Sequence, residues 1–345
     1  MPPRRLLFFA SPIGLGHATR DIAIAEKLKS GISDEVLFVS GLAAAALIAK
    51  KSFSVLDLLR PPAFEAQSGV LQHRFRWLAR YFRYYAKSKK VAKSILERHG
   101  GPVVSDEDFA SIAVAQQAER RSILITDITE TRFTSGPASI IERRINQAMR
   151  KMMKRCDCII IPDFGEDKDN IVHVGPIVRE ASADRAQLRK RFGFTKNTIV
   201  ASVGGTDAGR QLLDKVIDAH RRIKQRLDSD LVIVSGPSIS IADSADFRNL
   251  GFVDNLHELI YAADLVVSLA GKSTMDESIA YGTPGIFIPI KNHFEQEDGA
   301  SKLGYKYDDI FRLEALIAEK IGMRRNVENR DGAGRAAEII ARFLD

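Results

Sequence analysis

The chain has 345 residues, 45% of them hydrophobic and 28% charged, with a formal net charge of +7. That length suits two domains rather than one, and the composition is that of a globular protein rather than a disordered one. No stretch approaches the ~18 uninterrupted apolar residues of a membrane-spanning helix, and the apolar run that follows Arg4-Arg5 is too short for a signal peptide. The two cysteines, Cys156 and Cys158, exclude a disulfide framework and a four-ligand zinc site. Flanking Asp157 before Ile159-Ile160-Ile161, they read as buried strand-edge thiols in a reducing cytoplasm.

In chain order, short apolar runs alternate with stretches of helical period, the pattern of βα repeats and parallel sheets. Strands are expected at Leu6–Ala10, Val36–Ser40, Pro102–Ser105, Ser122–Thr126 and Cys158–Ile161, with helices at Thr19–Lys29 and Leu42–Lys50. Val172–Val174 reads as a short strand entering a linker at Gly175-Pro176-Ile177. A second series follows: strands at Thr198–Val203, Leu231–Ser235, Leu265–Ser268 and Gly285–Pro289, and helices at Gln211–Gln225, Val253–Ala262 and from near Thr274. The expected organisation is an α/β chain of two doubly wound domains, residues 1–162 and 163–325. A last helix at about Gly334–Leu344, within residues 326–345, could cross back to the first domain. Residues 1–162 carry 26 basic against 15 acidic side chains, and residues 163–345 carry 25 against 29. One basic half suggests an anionic partner, with nucleic acid and acidic lipid both open.

Three strand–turn–helix junctions carry glycines where an open parallel sheet binds its ligands. The first is Ser11-Pro12-Ile13-Gly14-Leu15-Gly16-His17-Ala18-Thr19-Arg20. Its helix start offers N–H groups and a positive dipole end to an anion, and His17 is placed to act as a base near neutral pH. Position 19 is Thr, so the third glycine of a dinucleotide fingerprint is missing. The second junction is Gly204-Gly205-Thr206-Asp207, and the third is Gly271-Lys272-Ser273-Thr274 with Glu277 one turn on. Glu277 suits a ribose diol, although Thr274-x-x-Glu277 is equally a capping box. Asp106-Glu107-Asp108 closes a strand of the first half. Its Asp-x-Asp invites a metal–nucleotide reading, but Asp106 or Asp108 facing a cleft is the preferred one.

Taken together, these segments resemble the MurG-like branch of GT-B glycosyltransferases (glycosyltransferase family 28-like), which includes lipid-linked N-acetylglucosamine transferases. Gly14-Leu15-Gly16-His17 resembles that family's first glycine loop, Gly204-Gly205-Thr206 its second, and Gly271 to Glu277 followed by Gly282-Thr283-Pro284 its donor signature. Gly251-Phe252-Val253 and Ala262-Ala263-Asp264 resemble the approach to the donor site, and His293-Phe294-Glu295-Gln296 with Ala300 the segment on the donor sugar. Where the family often has Asn before that alanine, this chain has Gly299. The resemblance implies two Rossmann-like domains facing a central cleft and inverting transfer that requires no metal or cofactor beyond the UDP-sugar itself. The uracil would lie near Phe252 and Val253, and the ribose on Glu277. The sugar, N-acetylglucosamine by that likeness, would pass to a polyprenyl-phosphate-linked acceptor. In the archaeal branch an acidic residue beside the glycine-loop histidine would align with Asp108.

Residues 72–96 hold eight Lys/Arg and no Asp or Glu, interleaved with aromatics. Arg76, Trp77, Arg80, Tyr81, Arg83 and Lys87 would face an anionic membrane or the acceptor, with Trp and Tyr at headgroup depth. Stacking on single-stranded nucleic acid and burial of part of the apolar stripe are the other readings. Arg143 to Arg155 could extend the basic face. With the donor motifs, a cytoplasmic enzyme at the inner membrane face and no nucleic-acid partner is the expectation. A nucleotide-sugar hydrolase, sharing Gly-x-Gly-His-x-x-Arg at Gly14 to Arg20, is the nearest rival, and a sugar-nucleotide 2-epimerase a more distant one.

Overall fold

The computed structural model describes residues 5–29, 35–63, 65–67, 69–132, 139–204, 209–236, 239–327 and 331–344. In order these form β1 (Arg5–Ala10), α1 (Gly16–Lys29), β2 (Glu35–Ser40), α2 (Leu42–Lys50), β3 (Ser54–Asp57), β4 (Ala66–Gln67) and β5 (Val70–Leu71). Next come α3 (Arg74–Arg98), β6 (Val103–Asp106), α4 (Phe109–Gln117), β7 (Ser122–Ile125), α5 (Ser139–Met153), β8 (Cys158–Ile161) and β9 (Ile171–His173). The second series is α6 (Arg185–Phe192), β10 (Asn197–Ser202), α7 (Arg210–Leu227), β11 (Ser229–Val234), β12 (Arg248–Asn249) and α8 (Leu256–Ala262). It continues with β13 (Leu265–Leu269), α9 (Lys272–Tyr281), β14 (Gly285–Ile288), α10 (Phe294–Lys302), α11 (Leu313–Lys320) and α12 (Gly332–Ala341).

The chain divides into two compact units, residues 1–63, 73–177 and 330–345 in one and residues 64–72 and 178–329 in the other. The first sheet has the order β3-β2-β1-β6-β7-β8-β9 and the second β12-β11-β10-β13-β14, and every pairing within them is parallel. Both faces of such a sheet are covered, so its strands are near-continuous apolar runs. Leu6, Phe8 and Ala10 pack under α1 and α12, while Leu7 and Phe9 pack under α3 and α4. Because β9 pairs with β8, the first sheet runs past residue 162, and α12 belongs to the first unit. Cys156 and Cys158 are buried free thiols.

The strand order positions the sites. In an open parallel sheet, ligands bind at the carboxyl ends of the strands where the winding reverses. That point is β1/β6 in the first unit, with Ala10 beside Asp106, and β10/β13 in the second, with Ser202 beside Ser268. The glycine turns identified in the sequence leave β1, β10 and β13.

Candidate functional site

In the first unit, Gly14 turns the chain through a left-handed φ of +81°, and a Cβ there would meet nothing within 4 Å. The turn is therefore open to approach, and α1 starts at Gly16, three residues before the expected Thr19. His17 and Arg20 stand on its first turns and face the end of β6. His17 Nδ1 lies 3.2 Å from Asp106 Oδ1 and 3.1 Å from Arg20 Nη2, and Nε2 lies 3.7 Å from Glu107 Oε2. Arg20 grips Asp106 with two nitrogens, Nε at 2.6 Å from Oδ2 and Nη2 on Oδ1, and reaches Asp127 at 3.3 Å. Such a two-nitrogen, charge-assisted grip fixes orientation as well as energy.

Burial alone would raise the Asp106 carboxyl, but the charges of Arg20 and His17 override it and hold Asp106 well below the usual carboxylate range. Burial likewise opposes the Arg20 charge, and the surrounding carboxylates keep it fully protonated. Asp21, sealed in the core on the next position of α1, is pushed well up by burial and by the Asp106 charge. In the tautomer that carries its hydrogen on Nδ1, His17 would donate to Asp106 and leave the Nε2 lone pair for a substrate proton. That is the arrangement of a general base with its orienting carboxylate.

Asp108 is placed differently. The sequence offered Asp106 or Asp108 as the cleft-facing acid, but β6 ends at Asp106 and Glu107 takes a left-handed φ of +54°. The alternation stops there, so Glu107 is the residue that approaches the ring. Asp108 caps α4, its Oδ1 accepting the Ala110 N–H at 3.1 Å. Burial pushes its carboxyl up to about 6.

In the second unit, Gly204 has a φ of +73° and, like Gly271, no atom within 4 Å of a Cβ. Gly205 and Thr206 lie outside the described residues. Helix α9 begins at Gly271, which supplies no side-chain cap. Thr274 is thus the third residue inside the helix and not its cap, so the capping-box alternative is excluded here. Lys272 binds both oxygens of Asp276 at 2.5 Å, so its charge is already engaged on its own helix. Ser273 shares this first turn.

Glu277 is buried, and Arg179 Nη2 lies 3.4 Å from its Oε1. Burial outweighs that guanidinium and pushes the carboxyl up to about 7. Arg179 also donates to the Asp254 carbonyl, and its own carbonyl accepts the Tyr281 hydroxyl. Arg179 was missed in the sequence because it stands alone just after the Gly175-Pro176-Ile177 linker, outside every glycine junction. Phe252 follows Gly251 (φ +61°) and is 48% exposed, whereas Val253 packs against the core. His293 caps the start of α10, and burial pushes its ring down to about 4, so it is neutral. Glu295 lies in the first turn of α10, and Gln296 turns its Oε1 back onto the Ile290 N–H at 3.0 Å. Gly299 has a reason of its own: a Cβ there would meet Met275 Cε at 2.8 Å, so α10 packs closely on α9.

The basic helix needs a correction. Trp77 is 8% exposed, donates its indole N–H to the Pro62 carbonyl at 3.1 Å and stacks on Tyr81 at 5.2 Å. Burial also pushes the Tyr81 hydroxyl far up. These rings lie at helical spacing with Ala92, Ile95 and Leu96, the buried residues of α3, and Tyr84 packs against the same core. Arg80 is half-buried. Arg76, Arg83 and Lys87 are exposed, with Phe82 beside them at 45%.

Two parallel-sheet units, each with a switch point at its carboxyl edge, match the GT-B fold of solved glycosyltransferases. Residues 199–319 match the glycosyltransferase family 28 C-terminal domain. An uncharacterized glycosyltransferase of Methanopyrus kandleri is 27% identical over 289 residues, covering 76% of this chain and 81% of that one. The UDP-N-acetylglucosamine–N-acetylmuramyl-(pentapeptide) pyrophosphoryl-undecaprenol N-acetylglucosamine transferase of Clavibacter sepedonicus is 24% identical over 284 residues, 79% of this chain and 73% of that one. Among solved structures, the glycotransferase of kitacinnamycin superposes with a TM-score of 0.69 at 14% identity, covering 100% of both chains. The likenesses support nucleotide-sugar transfer of the family 28 kind and lend the hydrolase alternative no support. No described helix is long and apolar enough to cross a membrane.

Proposed function

We propose that this protein is an inverting, metal-independent glycosyltransferase that moves N-acetylglucosamine from its UDP-sugar to a polyprenyl-phosphate-linked acceptor at the cytosolic membrane face. The carrying observation is the His17–Asp106 pair at 3.2 Å on an open glycine turn, in a chain whose other half matches the family 28 domain. His17 Nε2 takes the proton of the acceptor hydroxyl, whose oxygen bonds to the anomeric carbon as the bond to UDP breaks. Asp106 faces the imidazolium so formed, and Arg20 keeps Asp106 aimed at it. In the second unit the uridine ring packs on Phe252, and Glu277 accepts from the ribose hydroxyls through the oxygen not turned to Arg179. The Gly204 and Gly271 turns and the first turn of α9 meet the diphosphate with backbone N–H groups and the positive helix end. That neutralisation replaces a metal ion in the reading.

The clustered positive side chains on α3, in a unit with an excess of basic groups, support an anionic lipid surface as the acceptor's setting. The deciding experiment incubates the protein with UDP-N-acetylglucosamine and other UDP-sugars, with and without a polyprenyl-diphosphate-linked acceptor. Glycosylated lipid with inversion at the anomeric carbon is the expected product. Free sugar released without acceptor would replace this reading with a hydrolase in which His17 activates water.

A further inference from the structure

We propose that the short arm Gly69–Leu71 positions the donor-sugar segment Lys291–Gln296; the proposal rests on the reading of that segment given above. The arm lies early in the sequence, between stretches of the first unit, yet residues 64–72 pack as part of the second. β14 is an edge strand of the second sheet, and the arm covers the continuation of that edge. Lys291 donates its N–H to the Gly69 carbonyl at 2.8 Å, and its carbonyl accepts the Leu71 N–H at 2.9 Å, giving a parallel bridge between Val70 and Lys291.

The two neighbouring N–H groups are held from the other side. Ile290 donates to Gln296 Oε1 at 3.0 Å and Asn292 to Glu297 Oε1 at 2.9 Å. Three successive backbone donors are thus pinned, two by α10 and the middle one by the arm. Asn292 then adopts a left-handed φ of +69° and delivers the chain to His293, which starts α10. Without the arm, Lys291 would lose both backbone bonds at the residue where sheet edge becomes sugar segment.

The arm is itself anchored. Leu71 is 7% exposed and belongs to the core of the second unit. Gly69 has a φ of +69°, and a Cβ there would come within 2.8 Å of Gln211 Oε1 and 3.3 Å of the Tyr307 ring. A side chain at that position is therefore opposed by both conformation and neighbours. The diphosphate and uridine contacts lie on other junctions, so a loosened arm affects recognition of the sugar and spares UDP.

The test is calorimetry of UDP and of UDP-N-acetylglucosamine on the full chain, read as the ratio of the two affinities, with thermal melting alongside. Leu71→Ala and Gly69→Ala should each lower that ratio roughly tenfold, since small misplacements of a positioning group can cost up to about 10²-fold. UDP affinity should stay within about twofold, and Leu71→Met should restore the ratio by refilling the core. An unchanged ratio in folded Leu71→Ala or Gly69→Ala overturns the proposal, as does a fall in UDP affinity that matches the fall for the UDP-sugar. His293→Ala separates the two layers. If it leaves the ratio unchanged, the donor-sugar reading falls and the arm's role with it. If it lowers the ratio while the arm variants do not, the arm alone is excluded.

Discussion

The two switch points are built by opposite means. At β1/β6 the equipment is side chains: an arginine, a histidine and three carboxylates, Asp106, Glu107 and Asp127, within 4 Å of one another in a linked set. At β10/β13 the turns are open backbone, the nearest lysine is neutralised by Asp276 on its own helix, and the buried carboxylate of Glu277 has Arg179 behind it. A proton-transfer group must be held at one angle, and ion pairs supply that constraint. A diphosphate is bound over a wide surface, where uncapped helix starts suffice and a fixed cation is unnecessary. The difference predicts that substitutions in the first unit affect rate and substitutions in the second affect affinity.

His17→Ala is the sharpest way to break that division. Turnover should fall by roughly 10²–10⁴-fold, the range for a general base, with UDP affinity nearly intact by calorimetry. A loss of UDP binding instead would mean that the two edges do not divide the work in this way. Replacing Arg83, Lys87 and Lys90 with Glu tests the outer charge of the same unit. Each basic group near an anionic surface contributes about 1 kcal/mol, so binding to anionic vesicles should fall by about two orders of magnitude or more. Cosedimentation measures it, and turnover on a short soluble acceptor should be unaffected. Wild-type protein that stays in the supernatant at low salt ends the membrane reading.

Glu277→Gln should weaken UDP binding by about 1.5–3 kcal/mol, the worth of a hydrogen bond to a charged group. The wild-type pH dependence sharpens this. With a carboxyl raised from 4.5 to about 7 in the fold, its stabilising contribution is complete below 4.5 and is lost as pH rises through 7. Ribose hydroxyls donate best to the ionised form, so UDP affinity should grow over the same interval while the melting temperature falls. Glu277→Gln should flatten both curves; unchanged UDP affinity with a lower melting temperature would make Glu277 purely structural. The smallest effect is expected from Asp108→Ala. Loss of an N-cap costs about 0.5–2 kcal/mol of stability, with turnover close to wild type. A collapse of turnover in a variant that melts normally would return Asp108 to the catalytic set.

Much of this plan was legible in the chain because its signals are local. Apolar runs such as Cys158–Ile161 and the helix Leu42–Lys50 match their elements end to end, since each is bounded by its own turn chemistry. The glycine junctions were legible for the same reason. What escaped was three-dimensional. β12 is two residues long, too short for a periodic signal. Glu107 was hidden by one left-handed residue that cancels strand alternation, and Arg179 by lying nearly a hundred residues from its partner Glu277. On α3 the composition was read correctly as basic and aromatic, but composition does not say which rings turn inward. Trp77 turns inward onto the Pro62 carbonyl and Tyr81 stacks on it, while Arg76, Arg83 and Lys87 stay exposed.

The two cysteines give the molecule a useful silence. Burial pushes the Cys156 thiol up to about 12 and Cys158 to about 11, and reactivity with alkylating reagents follows the thiolate fraction. A cysteine introduced at Arg83 or Lys87 would then be the fast-labelling thiol of the native chain, with no background substitution needed. A fluorophore or spin label attached there would report whether that helix approaches an anionic vesicle while the interior sulfurs remain unmodified.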